Sequence, residues 1–183
     1  MEGLLAGIRA APARAGSTRV IALDGRSGAG KSTLAQALAG RLNAPLVSLE
    51  HLYGGWDGLD EGIARLRSAV LLPLAGGRAA SVPRYDWQTL AWGEPWTLAP
   101  PELLIVEGVG AGSLSAAPYM SMLVWLEADA ATRRERAERR RSGDAEEWER
   151  WERQEDAYID REHPRDRANV VIASACFASA AGA

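Results

Sequence analysis

Apolar and polar positions follow two rhythms along this chain. Five short runs are apolar almost without interruption: TRVIAL (18–23), APLVSL (44–49), ELLIVEG (102–108), MLVWLEA (122–128) and NVVIAS (169–174). Runs of that length, rich in β-branched residues, read as strands buried on both faces. Between them apolar residues recur at helical spacing. Leu34, Leu38 and Leu42 form one stripe, and Leu59, Ile63, Leu66 and Val70 form another, closed by Pro73 and Gly76–Gly77. A charged helix is expected over about 130–141 and a second over about 144–161. The first residues are expected to form a short helix before an Ala/Gly/Pro linker, and the tail FASAAGA to fray. ASVPRYDW and TLAWGEPWTL carry Trp and Pro, which suits edge strands or loops. Five apolar strands separated by helices or long crossovers predict an α/β fold with a five-stranded, mainly parallel sheet flanked by helices. No repeat or splitting linker interrupts it, so 1–183 is expected to be one domain.

Composition narrows this only slightly. The 183 residues are 47% hydrophobic and 25% charged, ordinary for a globular protein. A formal net charge of -3 is opposite to the basic surface that general nucleic-acid binding needs. There is no 18-residue apolar run to span a membrane and no signal-peptide pattern. One cysteine, Cys176, allows no internal disulfide and fits a reducing cytoplasm.

The chemistry is concentrated where the first strand hands over to the first long helix. Gly25-Arg26-Ser27-Gly28-Ala29-Gly30-Lys31-Ser32 satisfies G-x-x-x-x-G-K-[ST] at each fixed position, with Thr33 following. Such a loop turns several backbone N–H groups onto a polyphosphate. Glycine lets the backbone approach and supplies positive φ angles. The helix starting near Lys31 adds unpaired amides and a partly positive terminus. Lys31 is expected to reach the β- and γ-phosphates of ATP, and the Ser32 hydroxyl to join a Mg²⁺ shell. These residues predict a P-loop NTPase three-layer fold with a nucleotide site.

Acids at strand ends come next. Glu107 closes LLIV ahead of Gly108, so it emerges at a carboxyl edge where open α/β sheets bind ligands and where a carboxylate can hold Mg²⁺. Glu50 ends the second strand and could take a proton from an attacking hydroxyl or help hold the metal. His51 beside it is either another polar contact or a surface residue. Asp24 precedes Gly25 and could support the loop or the metal. TRRERAERRR (132–141) holds six arginines, and Arg133, Arg136 and Arg140 share a helical face. That face is either a lid over ATP, within about 130–160, or a solvated surface pairing with Glu135 and Glu138. Trp148, Trp151, Glu155 and Tyr158 make another stripe, read as core packing or as placing Glu155 toward an acceptor pocket. Trp56 and Trp87, in expected loops, either stack on a substrate ring or pack beneath their loops.

Together these residues resemble the uridine kinase family of P-loop nucleoside kinases, particularly its short bacterial members, from about Val20 to Val171. The specific part is the ordered set LEHLYGGWDGL, PRYDW, IVEGVGAG and the Arg-rich run ahead of RANVVI. The resemblance implies ATP-dependent phosphorylation of a nucleoside 5′-hydroxyl. It puts Glu50 at the family's catalytic aspartate, Asp86 where the sugar hydroxyls are gripped, and Tyr53 and Tyr85 in the same pocket, next to Arg84. It also supports the lid, with Arg136 and Arg140 acting on the transferring group. The chain departs from the family by the longer Glu50, by Asn169 before the last strand, and by VGAGSLSAAPYM where larger members read the pyrimidine. Two alternatives stay open. One is a kinase for another metabolite or a nucleoside monophosphate, for which Arg84 and Arg65 are the available phosphate partners. The other is a nucleotide-binding regulatory module without acceptor chemistry.

Overall fold

The computed structural model describes residues 1–140 and 144–173, and of 137–140 only the backbone. Cys176, Arg141 and the terminal tail lie outside the described residues. Helix α1 (Glu2–Ala10) leads into β1 (Arg19–Asp24), the phosphate loop and α2 (Lys31–Leu42). Strand β2 (Leu46–Ser48) ends in a 3₁₀ turn (Leu49–His51). A helical rod follows, from α3 (Leu59–Arg65) through a π segment (Leu66–Leu71) to α4 (Leu72–Ala75). Strands β3 (Ala80–Asp86) and β4 (Ala91–Leu98) form a hairpin before β5 (Leu103–Glu107), β6 (Met122–Glu127), α5 (Ala130–Arg140), α6 (Ala145–Glu162) and β7 (Val170–Ala173).

All five expected core strands form one parallel sheet, in the order β2-β5-β1-β6-β7. The central strand explains its own composition. Val20 and Ala22 of β1 point to one layer with Leu104, Val106, Leu66 and Tyr158, while Ile21 and Leu23 point to the other with Leu34, Leu38 and Val124. Period-2 alternation between two apolar layers leaves no polar position to spare until the strand ends. Each fully buried leucine of this kind contributes about 1.5–3 kcal/mol.

One expectation is corrected in detail. Pro73 lies inside the rod, which ends at Ala75 with Gly76 as its cap; the π segment just before it widens the turn that the proline ring would otherwise crowd. The Trp/Pro pieces pair with each other as a two-stranded hairpin apart from the main sheet, in keeping with edge strands, and the register shifts between Val82 and Arg84, on either side of Pro83. Asn169 is structural: its Oδ1 accepts the Leu123 N–H at 2.8 Å and its own N–H donates to the Leu123 carbonyl, seating β7 on β6. Among the described residues no helix is long and apolar enough to cross a membrane.

Candidate active site

The central strand has β5 on one side and β6 on the other, so connections leave it in opposite directions and a crevice opens at its carboxyl end. The phosphate loop occupies that end. Gly25, Gly28 and Gly30 all take positive φ angles, and Gly30 caps α2. Two of the glycines have a second reason to be there. A Cβ on Gly25 would lie 2.3 Å from the Leu126 carbonyl, and one on Gly28 would lie 2.6 Å from the Arg133 carbonyl. The loop is therefore wedged between β6 and α5, as well as curled for an anion. The buried Lys31 ammonium bridges the loop, donating to the carbonyls of Gly25 (2.7 Å) and Arg26 (3.0 Å). Ser32 is half-buried and Thr33 exposed on the first turn of α2.

Glu107 reaches the same place from β5. Register sets it beside Leu23 on one neighbour and Ser48 on the other. Its Oε2 accepts from Ser32 Oγ at 3.2 Å and its Oε1 from Ser48 Oγ at 2.5 Å. Ser48 is a site residue the sequence reading missed; its position on the strand beside Glu107 becomes visible only once the sheet order is known. The donor set of one carboxylate and one hydroxyl, all hard oxygen, suits Mg²⁺, which takes its remaining ligands from phosphates and water. Among the described residues no group of three or more His, Cys, Asp or Glu forms a cage of its own.

Asp24 is fully buried and fully used. Its carboxylate accepts from the N–H groups of Gly25 (2.7 Å), Gly110 (3.1 Å) and Gly112 (2.8 Å) and from the Tyr158 hydroxyl (2.7 Å). Burial raises its pKa above the usual carboxylate value, while Tyr158 and the loop N–H groups pull it down. With four donors on it, Asp24 supports the loop and has no lone pair left for a substrate proton. Burial and the neighbouring Asp24 carboxylate push the Tyr158 phenol upward, so it stays a donor.

Glu50 stands exposed on the 3₁₀ turn after β2. The turn is held by Ser48 Oγ, which accepts the Glu50 N–H, and by Trp87 Nε1, which donates to the Glu50 carbonyl at 2.8 Å. His51 is exposed. Tyr53 is buried, and its hydroxyl donates to the Val109 carbonyl at 2.7 Å. Burial raises its pKa well above the phenol value, reinforced by the negative charge of Glu107, Asp24, Glu155 and Glu50. Around it runs an edge-to-face cluster: Tyr53 on Trp151, Trp56 on Trp87, Trp148 and Trp151, and Tyr85 on Trp87 and Trp92. Trp56 and Trp87 are half-buried and pack against the core and each other, as the packing reading of the two expects.

Two other expected acceptor residues are exposed on the hairpin. Arg84 is exposed on β3. Asp86 is exposed, and its Oδ1 accepts from the N–H groups of Gln88 and Thr89, which lower its pKa. Arg65 is committed: it donates to the Leu52 carbonyl (3.1 Å) and Glu61 (2.6 Å) and stacks 4.5 Å from the Trp92 ring centroid.

On the other flank, Arg136 donates to the Gly28 carbonyl at 3.0 Å. With Arg26, Arg133 and Arg165 it lines a cleft of about 750 Å³ against Trp125 and Glu127 at the end of β6. Arg133 and Arg136 thus share the face the spacing predicts; the Arg140 side chain lies outside the described residues. The Trp148–Tyr158 stripe is packed as expected, but Glu155 does not face the acceptor side. It is fully buried against the phosphate loop, where its Oε1 accepts the Ser27 N–H (2.8 Å) and Trp151 Nε1 (2.7 Å).

The sequence matches no protein-family model and no characterised protein. Solved structures do share its architecture. A possible uridine kinase from Bacillus stearothermophilus superposes with a TM-score of 0.66 at 20% identity, covering 85% of this chain and 88% of that one. A candidate fructose transport system kinase from Silicibacter sp. TM1040 gives 0.61 at 19% identity, covering 93% and 96%. At these identities the likeness is one of fold, and the fold is that of the P-loop kinases.

Proposed function

We propose that the protein is an ATP-dependent small-molecule kinase that transfers the γ-phosphoryl of ATP to a hydroxyl, with a nucleoside 5′-hydroxyl as the preferred acceptor. The observation that carries this reading is the meeting of three parts at one sheet edge: the phosphate loop with Lys31, the Ser32–Glu107 pair, and the exposed Glu50 on the turn whose Ser48 also bonds Glu107. A carboxylate beside the phosphate site is what acceptor chemistry requires and nucleotide binding alone does not.

In this reading the N–H groups of Gly28 and of Gly30 to Thr33 and the Lys31 ammonium hold the phosphates, those of Gly25, Ser27 and Ala29 being spent on Asp24, Glu155 and the Arg26 carbonyl. Mg²⁺, held through Ser32 and Glu107, would neutralise charge on the phosphate oxygens. Arg136, already seated on Gly28, neutralises charge from the cleft side, with Arg140 one turn further along the same helix. Glu50 takes the proton of the acceptor hydroxyl as its oxygen bonds to phosphorus. Tyr53 and Tyr85 are buried, so ring contact with an uncharged, flat acceptor falls to the half-buried Trp56 and Trp87 and the exposed Trp92. Arg84 and Asp86 would act at its rim. A monophosphate acceptor is disfavoured because Arg65 is already spent on Leu52, Glu61 and Trp92 and Arg84 is exposed. Consumption of ATP accords with the cytoplasmic expectation.

The test is product formation. Purified protein is incubated with Mg²⁺, γ-labelled ATP and a panel of nucleosides, nucleoside monophosphates, sugars and other alcohols. Transfer of label to a nucleoside supports the reading, and transfer to another alcohol keeps the kinase but moves the acceptor class. Tight ATP binding with no labelled product from any acceptor would leave the regulatory module.

A further inference from the structure

Two consecutive residues of α6 hold the two halves of the site. Gln154 reaches the acceptor-side loop: its Nε2 donates to the Trp56 carbonyl at 2.7 Å and its Oε1 accepts the Leu59 N–H at 3.3 Å. Glu155 reaches the phosphate loop through the Ser27 N–H. Neighbouring side chains bear out each attachment. Arg150 pairs with Asp57 (3.2 Å) and Arg161 with Asp60 (2.8 Å) on the acceptor side. Trp151 Nε1 donates to Ser27 Oγ (2.9 Å), and Tyr158 to Asp24 (2.7 Å), on the phosphate side. Both sets of contacts come from one 18-residue helix, closed at its start by a reciprocal Asp144–Glu147 capping box.

One contact between this helix and the loop is incomplete. Glu155 Oε2 is buried and has no hydrogen-bond partner. Arg26 Nη1 lies 3.8 Å from it, near enough to attract and too far to bond, while another nitrogen of the same guanidinium is held by Asp156. An unsatisfied buried carboxylate oxygen is costly, and a shift of under about 1 Å between α6 and the loop would close the pair. Arg26 also lines the cleft beside Arg133 and Arg136, so closure orders a cation on the nucleotide side.

We propose that α6 couples the acceptor and nucleotide sites, with Glu155 as the positioning residue through which the 53–60 loop acts on Ser27 and Arg26. Both ligands favour the closed Arg26–Glu155 pair, so they bind with positive linkage, reciprocal by thermodynamic necessity. The proposal rests on the kinase reading and names the regulation of that same site.

A double-mutant cycle tests it, with Mg·ATP binding measured calorimetrically for the parent, Gln154→Ala, Glu155→Gln and the double variant. Gln154→Ala touches no phosphate-loop atom, yet it should weaken Mg·ATP about three- to tenfold. In the Glu155→Gln background the same change should cost less than about twofold. Equal effects of Gln154→Ala in both backgrounds, or no effect in the parent, overturn the coupling while leaving the kinase reading intact. Hydrogen exchange supplies an arm that does not depend on Glu155→Gln folding. Mg·ATP should slow exchange of the 53–60 amides in the parent and not in Gln154→Ala; unchanged exchange in the parent overturns the proposal. A parent that binds no Mg·ATP at all fails at the earlier step, and takes the kinase reading down with the coupling.

Discussion

Between Gly25 and Thr33 the working groups are main-chain N–H donors and one ammonium, set by consecutive residues on one turn. On the side proposed for the acceptor stand rings brought from three separate segments, Tyr53 and Trp56 after β2, Tyr85, Trp87 and Trp92 on the hairpin, and Trp148 and Trp151 on α6, with Tyr53, Tyr85 and Trp151 buried beneath the others. The first half tolerates little change, because a Cβ at Gly28 meets the Arg133 backbone and the positive φ excludes most side chains. The second is held by edge-to-face contacts worth about 0.5–1.5 kcal/mol each, which can be rearranged. Phosphate is the same in every nucleotide whereas acceptors differ. A rigid backbone cradle facing an adjustable aromatic wall fits a site with one constant ligand and one variable one.

If that division holds, the largest loss comes from the cradle's one ammonium. Lys31→Ala should reduce labelled-product formation to background while the thermal transition changes little, since the ammonium contacts only the Gly25 and Arg26 carbonyls. A parental turnover rate in this variant would remove the loop from the chemistry. Glu50→Gln ranks second. General-base assistance is worth roughly 10²- to 10⁴-fold, and a drop of that size in kcat is expected with ATP binding retained. Glu50→Asp, the side chain of the resembled family, should keep activity. With Asp24 saturated by four donors and Glu155 buried against Ser27, an undiminished kcat in Glu50→Gln would send the search to Glu107.

The same division governs what the sequence discloses. The five strands, the phosphate loop and Glu107 follow from local pattern: an apolar run, a spacing and a strand end. Ser48 escapes because its partnership with Glu107 depends on β2 lying beside β5, which no local signal carries. The role of Asp24 is visible next to Gly25, but its bonds to Gly110, Gly112 and Tyr158 span 86 residues or more. Helical spacing identifies the face of α6 that is buried, yet not what it meets. Glu155 on that face was weighed as an acceptor contact and instead holds Ser27. Long-range polar partners are set by tertiary packing, which composition and period do not encode.

The aromatic wall should yield more gently. Trp56 is half-buried and makes edge contacts with Trp87, Trp148 and Trp151 at centroid distances of 5.3, 5.3 and 6.5 Å. Trp56→Leu keeps a hydrophobic filler but loses the ring edges. Acceptor KM is expected to rise roughly three- to tenfold, the equivalent of about 0.5–1.5 kcal/mol, with a smaller change for ATP. A larger effect on ATP than on the acceptor would place Trp56 with the cradle instead.

Asp86 carries the smallest expected effect and separates two roles most cleanly. The resemblance assigns it to the acceptor's hydroxyls, whereas its Oδ1 closes the turn after β3 by accepting from Gln88 and Thr89. These N–H groups hold its folded pKa below the ordinary carboxylate value. Its contribution to stability is therefore present above that ordinary value and lost as pH falls through the lowered one. Asp86→Asn keeps an oxygen for the turn and removes the charge, and Asp86→Ala removes both. If the turn is its whole role, Asn should match the parent in acceptor KM and nearly in melting temperature, and Ala should lower the melting temperature slightly. The parent's advantage over Ala should then shrink in strong acid. If the carboxylate also grips a hydroxyl, Asn alone should raise acceptor KM while the melting temperature and ATP KM stay put, because a site built to bond a hydroxyl loses discrimination when its partner changes. The hairpin would then belong to the active site as well as to the fold, and the aromatic wall would have a polar rim of its own.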